Sequence, residues 1–313
     1  MRWLLVPAVV AGTALAVVPP GTSAAGPCGA PANGNTTISL RQGSVKRTAL
    51  VHVPSSYSGK SPVPLVLNLH GSGSTADQQR LFTAMDRTAN ADGFAVVYPQ
   101  AAIPEGSGFD WNVPGVPLVG GRKVPAGSPG DVAFIGRLLT RIESTYCIDT
   151  RRLYATGFSG GARMASDLAC SLPGRIAAIA PVSGLRLPDP CPATRAVPVL
   201  SFHGTADPVD PYDGHGQPYW AYSVPQAAKL WAVHDGCSAK PATSRPAGAV
   251  TLTAYTRCRP GAAVELYTIA GEGHEWPGGP PLPPTLVRLL GPQSTAVDAN
   301  TVMWRFFRAH PLR

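Results

Sequence analysis

The stretch Leu153-Tyr154-Ala155-Thr156-Gly157-Phe158-Ser159-Gly160-Gly161-Ala162 decides how this chain is read. A short apolar run enters a turn dense in glycine and leaves it as a helix-forming segment. Gly157-Phe158-Ser159-Gly160-Gly161 fits G-x-S-x-G, which sets a serine on a cramped strand-to-helix elbow with its hydroxyl exposed above a sheet. The glycines permit the sharp backbone turn and let the helix pass close to the strand. So short a pattern is cheap by chance. Its meaning depends on whether the rest of the chain supplies a base, an acid and oxyanion donors.

Working outward, apolar runs at 63–69, 94–98, 176–182 and 197–202 read as buried strands, 265–269 as the last strand, and 36–40 with 47–53 as an antiparallel edge pair. Near-continuous apolar runs suit strands covered on both faces. Helical patterns fill the gaps: 76–92 stopped by Gly93, a helix capped by Asp131, 160–171, 223–234 and 295–309. Residues 100–130 and the proline-rich 277–284 read as long loops. Strands alternating with helices predict an α/β protein with a mostly parallel sheet covered on both faces. No internal repeat or linker appears, so residues 26–313 are read as one catalytic domain.

A serine hydroxyl needs a base within hydrogen-bond reach, and the base needs an orienting carboxylate. In open α/β sheets such groups gather beyond the carboxyl ends of strands. Three strand ends carry the right types, in the order Ser159, Asp207, His274. Asp210 and Asp213 compete with Asp207, which sits nearest its strand end. His203 precedes Gly204 and is read as bracing that turn. A developing oxyanion needs preorganised donors. Gly160 offers its N–H directly after the serine, and His70-Gly71-Ser72-Gly73 offers a second, with Ser72 chosen and Gly71 or Gly73 open.

The bulk numbers exclude other classes. The chain has 313 residues, 44% of them hydrophobic, which is enough for a sizeable core. Only 14% are charged, against about 25% in ordinary domains. The net charge of +8 is spread thinly with no basic stripe, so no nucleic-acid partner is expected. Residues 1–25 carry Arg2, an apolar run, a Pro-Pro-Gly break and Ser23-Ala24-Ala25, the pattern of a cleaved secretory signal. The run is too short to span a bilayer. A secreted, extracellular monomer without stable membrane association is the expectation.

Six cysteines, Cys28, Cys147, Cys170, Cys191, Cys237 and Cys258, suit disulfides in that compartment. Nearest-neighbour spacing favours Cys237–Cys258 and Cys170–Cys191, leaving Cys28–Cys147. With no CxxC and no Cys/His cluster at metal spacing, no metal is expected, and the serine chemistry calls for no cofactor.

The motifs together resemble the secreted α/β-hydrolase esterases that include polyhydroxybutyrate depolymerases, LpqC-like esterases and feruloyl esterases. The segments that carry the resemblance are 69–73, 147–161, 202–212 and 271–279. The resemblance implies Ser159 as nucleophile, Asp207 as acid and His274 as base. One departure is Gly160, where many such proteins have asparagine; a backbone donor survives the change.

The expected reaction is ester hydrolysis through an acyl-enzyme. Trp111, Tyr212 and Trp276, with Tyr219 and Trp220, lie in loops near the presumed site and are candidates for substrate contact. The first substrate class is feruloyl or acetyl esters of plant polysaccharide; the second is polyhydroxybutyrate or a similar polyester. The chain ends soon after its last core helix with no added binding module, which favours soluble esters. A secreted acyltransferase or a non-catalytic binding protein completes the alternatives.

Overall fold

The computed structural model describes residues 34–192 and 195–313. The signal segment and Cys28 lie outside the described residues. In chain order the elements are β1 Gly34–Gln42, β2 Val45–Val53, β3 Val63–Leu69, α1 Ala76–Thr83, α2 Met85–Asp92, β4 Ala95–Pro99, β5 Ile103–Glu105, β6 Gly108–Asp110, α3 Asp131–Thr145, β7 Ile148–Phe158, α4 Gly160–Ser171, β8 Ala178–Val182, β9 Val199–Gly204, α5 Val224–His234, β10 Ala242–Ala247, β11 Val250–Tyr255, β12 Val264–Ile269, α6 Pro284–Leu290 and α7 Ala299–Ala309.

Ten strands form one sheet in the order β1-β2-β4-β3-β7-β8-β9-β12-β11-β10. From β4 to β12 every neighbouring pair is parallel. Antiparallel strands close both edges. Alternation along the strands divides the core in two. On β3, Leu65, Leu67 and Leu69 pack with α3, α4 and α5 on one face. Val66 points to the other face, where α2 and α7 supply Met85, Ala89, Met303, Phe306 and Phe307. Tyr154 of β7 stacks on Phe307 with ring centroids 4.6 Å apart.

Several expectations are corrected. The helix expected over 76–92 is two helices, broken at Ala84, which adopts φ 45°. The break exposes the carbonyl of Thr83, which accepts a hydrogen bond from Nδ2 of Asn300. Asp131 does not cap α3 with its side chain; Gly130 is the cap residue. The Asp131 carboxylate instead pairs with buried Arg47 and accepts from the backbone N–H of Asn112. The 100–130 segment contains the β5–β6 hairpin. Strands β10 and β11 and helix α6 add to the expected elements; β10 and α6 are largely exposed, whereas β11 alternates over Val250–Tyr255 and its signal was missed. Disulfides join Cys170 to Cys191 and Cys237 to Cys258, and Cys147 is also disulfide-bonded. Among the described residues no helix is long and apolar enough to cross a membrane.

Candidate active site

Strand β7 ends at Phe158 and α4 begins at Gly160, so Ser159 alone makes the elbow. It adopts φ 53°, ψ −115°, a strained conformation for a residue with a Cβ that persists only where its surroundings over-determine it. Its N–H donates to the carbonyl of Val182 at 3.0 Å, and its own carbonyl accepts from the N–H of Arg163 at 3.1 Å. The flanking glycines are required by close approach. A Cβ on Gly157 would lie 2.6 Å from the backbone of Gly161, and one on Gly161 would lie 2.2 Å from the carbonyl oxygen of Leu69.

Asp207 follows β9 and His274 follows β12, and these strands are parallel neighbours. Pairing brings together two residues 67 positions apart: Nδ1 of His274 donates to Oδ2 of Asp207 at 2.7 Å. The other oxygen, Oδ1, accepts from the N–H groups of Val209 and Asp210, each at 2.8 Å. Burial alone would push the Asp207 carboxyl up, but hydrogen bonds from His203 and His274 outweigh it and hold the group well below the usual carboxylate range. Burial pulls His274 down, whereas the bond and charge of Asp207 pull it up; the net shift is upward from 6.5. An imidazole held this way keeps its Nε2 available to take a proton. Of the competing carboxylates, Asp210 is occupied by Arg163 at 2.8 Å and Asp213 is exposed.

The loop after β3 is built against the elbow. A Cβ on Gly160 would lie 2.4 Å from Oγ and 3.1 Å from N of Ser72. Gly160 opens α4, where first-turn N–H groups have no intrahelical acceptor. The N–H of Gly73 is engaged by the carbonyl of Phe109, which separates it from Ser72 as a donor candidate. The β5–β6 hairpin clamps this loop, since Phe109 N in turn donates to the Ser74 carbonyl at 3.0 Å. His70 anchors the loop's start. Its Nε2 accepts from Ala101 N at 3.1 Å and its Nδ1 donates to the Gly71 carbonyl at 2.8 Å. Burial pushes its pKa down to about 4, so the ring stays neutral as those bonds require.

Ser159 and His274 open into one cavity of about 850 Å³, whose wall includes Ser72, Phe82, Phe158, Arg163 and Tyr219. Trp111, Tyr212 and Trp276 do not reach it. Trp111 donates from Nε1 to the carbonyl of His70 and packs on that ring, so it buttresses the loop after β3. Trp276 is fully buried, with its indole N–H on Oδ1 of Asn300. Tyr212 is tied to Oγ1 of Thr268. Loop tryptophans near a site serve packing here because the loops fold inward over the sheet ends.

The structure also brings in residues that the sequence had given another role or none. Nε2 of His203 lies 3.2 Å from Oδ2 of Asp207, and Trp220 stacks on the His203 ring. Arg163 lies on the cavity wall, its guanidinium over Tyr219. Glu272 and Glu275 flank His274, both buried, with none of their four oxygens hydrogen-bonded. The spacing His203-x-x-x-Asp207 was a visible signal for the first of these; Arg163 carried none.

Residues 49–225 match the model of the family described as Esterase PHB depolymerase. Feruloyl esterase B of Piromyces equi is 31% identical over 243 residues, covering 73% of this chain and 42% of that protein. The chain thus spans less than half the length of that relative. The putative esterase NocK of Nocardia uniformis subsp. tsuyamanensis is 31% identical over 262 residues, 75% of this chain and 73% of that one. Among solved structures, the acetyl xylan esterase from Aspergillus awamori superposes with a TM-score of 0.58 at 16% identity, over 88% of this chain and 99% of that one. That likeness shows the α/β-hydrolase fold. Since the matched model covers more than half of the sequence, this chain belongs to the Esterase PHB depolymerase family.

Proposed function

We propose that this chain is a secreted serine carboxylesterase in which Ser159 is the nucleophile, His274 the general base and Asp207 the acid that orients it. The observation that carries the reading is the sharing of one cavity by Ser159 and His274 while Asp207 bonds the far nitrogen of the imidazole. In this mechanism Nε2 of His274 takes the proton of the Ser159 hydroxyl as its oxygen attacks the ester carbonyl. The backbone N–H groups of Gly160 and Ser72 receive the oxyanion. His274 then gives the proton to the departing alcohol, leaving an acyl-serine. A water molecule, deprotonated by His274, adds to that acyl group and releases the acid, returning Ser159 its proton.

For substrate, the reading that fits best is an ester with an apolar acid group, of the hydroxycinnamoyl kind, on plant polysaccharide. Phe82, Phe158 and Tyr219 on the wall favour such a group over bare acetyl, and feruloyl esterases are among the relatives. A polyester depolymerase is the second reading, favoured by the family match and by leucines exposed at the cavity mouth. Export rests on the signal pattern of residues 1–25. The test is hydrolysis of p-nitrophenyl acetate by the wild-type chain and by Ser159→Ala. Loss of turnover with unchanged melting temperature is expected; full activity in the variant sinks the site. Methyl ferulate, acetylated xylan and polyhydroxybutyrate, assayed side by side, rank the substrate readings.

A further inference from the structure

Five large hydrophobic side chains stand exposed among the described residues, and three of them, Leu81, Leu286 and Leu289, line the cavity that holds Ser159 and His274. Leu81 is 74% exposed, Leu289 65% and Leu286 40%. Isolated exposed leucines are ordinary, but their gathering at one concavity marks a binding surface. They come from two walls. Leu81 and Phe82 lie at the end of α1. Leu286, Leu289 and Leu290 lie on α6 at spacings of three and four, which places them on one helical face.

Helix α6 is unusual in this fold because none of its residues is buried. A short helix normally gains its stability by packing an apolar face on the core. Here the backbone holds it instead: the N–H of His274 donates to the carbonyl of Leu290 at 2.5 Å, and the N–H of Gly273 to that of Pro292 at 2.7 Å. The helix is therefore attached to the histidine loop at one end while its leucines line the cavity, Leu286 and Leu289 still exposed. Of the charged groups, Arg163 reaches the wall, and it is already paired with Asp210 and stacked on Tyr219.

We propose that α6, together with Leu81, is the wall that binds an extended apolar group of the ester and selects it over a short one. Leu286 and Leu289 are then specificity-determining residues. The proposal rests on the esterase reading above. It makes a chain of methylenes or an aryl ring the apolar partner of α6, since removing both surfaces from water is the available source of affinity.

The experiment measures kcat/KM of the full chain on p-nitrophenyl acetate, butyrate and octanoate, and on ethyl and octyl acetate, for wild type, Leu286→Ser and Leu289→Ser. The first series lengthens the acid, the second the alcohol. Both positions are exposed, so the variants should fold, which a melting curve checks. In at least one series wild type should prefer the long ester, and each variant should cut the long-to-short ratio by about tenfold, the scale expected for one buried leucine side chain. Equal or better turnover of the short esters in both series, or ratios unchanged in both variants, overturns the proposal. Binding of p-nitrophenyl octanoate to Ser159→Ala is measured alongside. Binding that weakens with the leucine variants supports the wall even if the wild-type chain hydrolyses nothing, an outcome that would refute only the esterase reading.

Discussion

Nε2 of His203 lies 3.2 Å from Oδ2 of Asp207, the same oxygen that accepts from Nδ1 of His274 at 2.7 Å. Nε2 of His203 also lies 2.8 Å from the carbonyl oxygen of Asp210. Both partners are acceptors, so Nε2 carries the proton. Asp207 is thereby clamped from two sides: a buried histidine holds it in place, and the histidine at the cavity takes its orientation from it.

His203→Phe should therefore affect both folding and rate. Losing this donor in a buried site costs about 1–3 kcal/mol of stability. It should also lower kcat more than it raises KM, because His203 does not touch the cavity. Urea unfolding and steady-state kinetics on one ester check the two parts. A variant that changes KM alone would place His203 in substrate binding.

The pH dependence of turnover follows from His274. The base must be neutral to accept a proton, so activity is lost as pH falls through its pKa. Asp207 holds that pKa above 6.5, and the acid limb of kcat/KM should lie on that side of 6.5. Asp207→Asn should move the limb downward and reduce kcat by on the order of ten-thousandfold. A pH–rate profile of both proteins is the measurement.

Gly160 and Ser72 are in contact, and a side chain at 160 would meet Ser72 Oγ at 2.4 Å. Gly160→Ala should push the Ser72 loop aside and lower kcat by about 100-fold, the scale for a displacement of roughly 1 Å at a reacting site. Adding Ser72→Gly removes the colliding hydroxyl and should recover part of the rate. If the double variant is no better than Gly160→Ala, the collision is not the cause.

Glu272 makes a stability prediction. Burial, reinforced by the charges of Glu275 and Asp207, pushes its pKa up to about 8 from 4.5. Between those values the unfolded chain releases a proton that the folded chain retains. Stability must then fall as pH rises across that window, by up to about 1.4 kcal/mol per unit. Below 4.5 the group is neutral in both states and has no effect. Glu272→Gln should flatten the decline, so its advantage over wild type grows from pH 5 to pH 8 in urea unfolding. Glu275, pushed up to about 7 mainly by burial, should show a smaller version.

Much of the framework was legible in the residues themselves. The buried parallel strands announced themselves because a strand covered on both faces is nearly all apolar, and 63–69 reads so apart from Asn68. The elbow was legible because only glycine tolerates the approaches at 157 and 161. The order of Ser159, Asp207 and His274 was legible because each follows soon after the end of a strand. Elements with exposed surfaces, β10 and α6, left no such trace, whereas the alternation of β11 was there to be read.

Tertiary structure decided what proximity alone can decide. Parallel pairing of β9 with β12 set Asp207 against His274, a relation no local pattern encodes. Inward folding of the loops put Trp111 and Trp276 into packing, although their composition had suggested substrate contact. The attachment of α6 to the His274 loop turned three scattered leucines into one wall. Sequence sets which surfaces must leave water and which backbone turns are sterically allowed; which side chains then meet at the strand ends depends on the sheet order and on how the loops close over it.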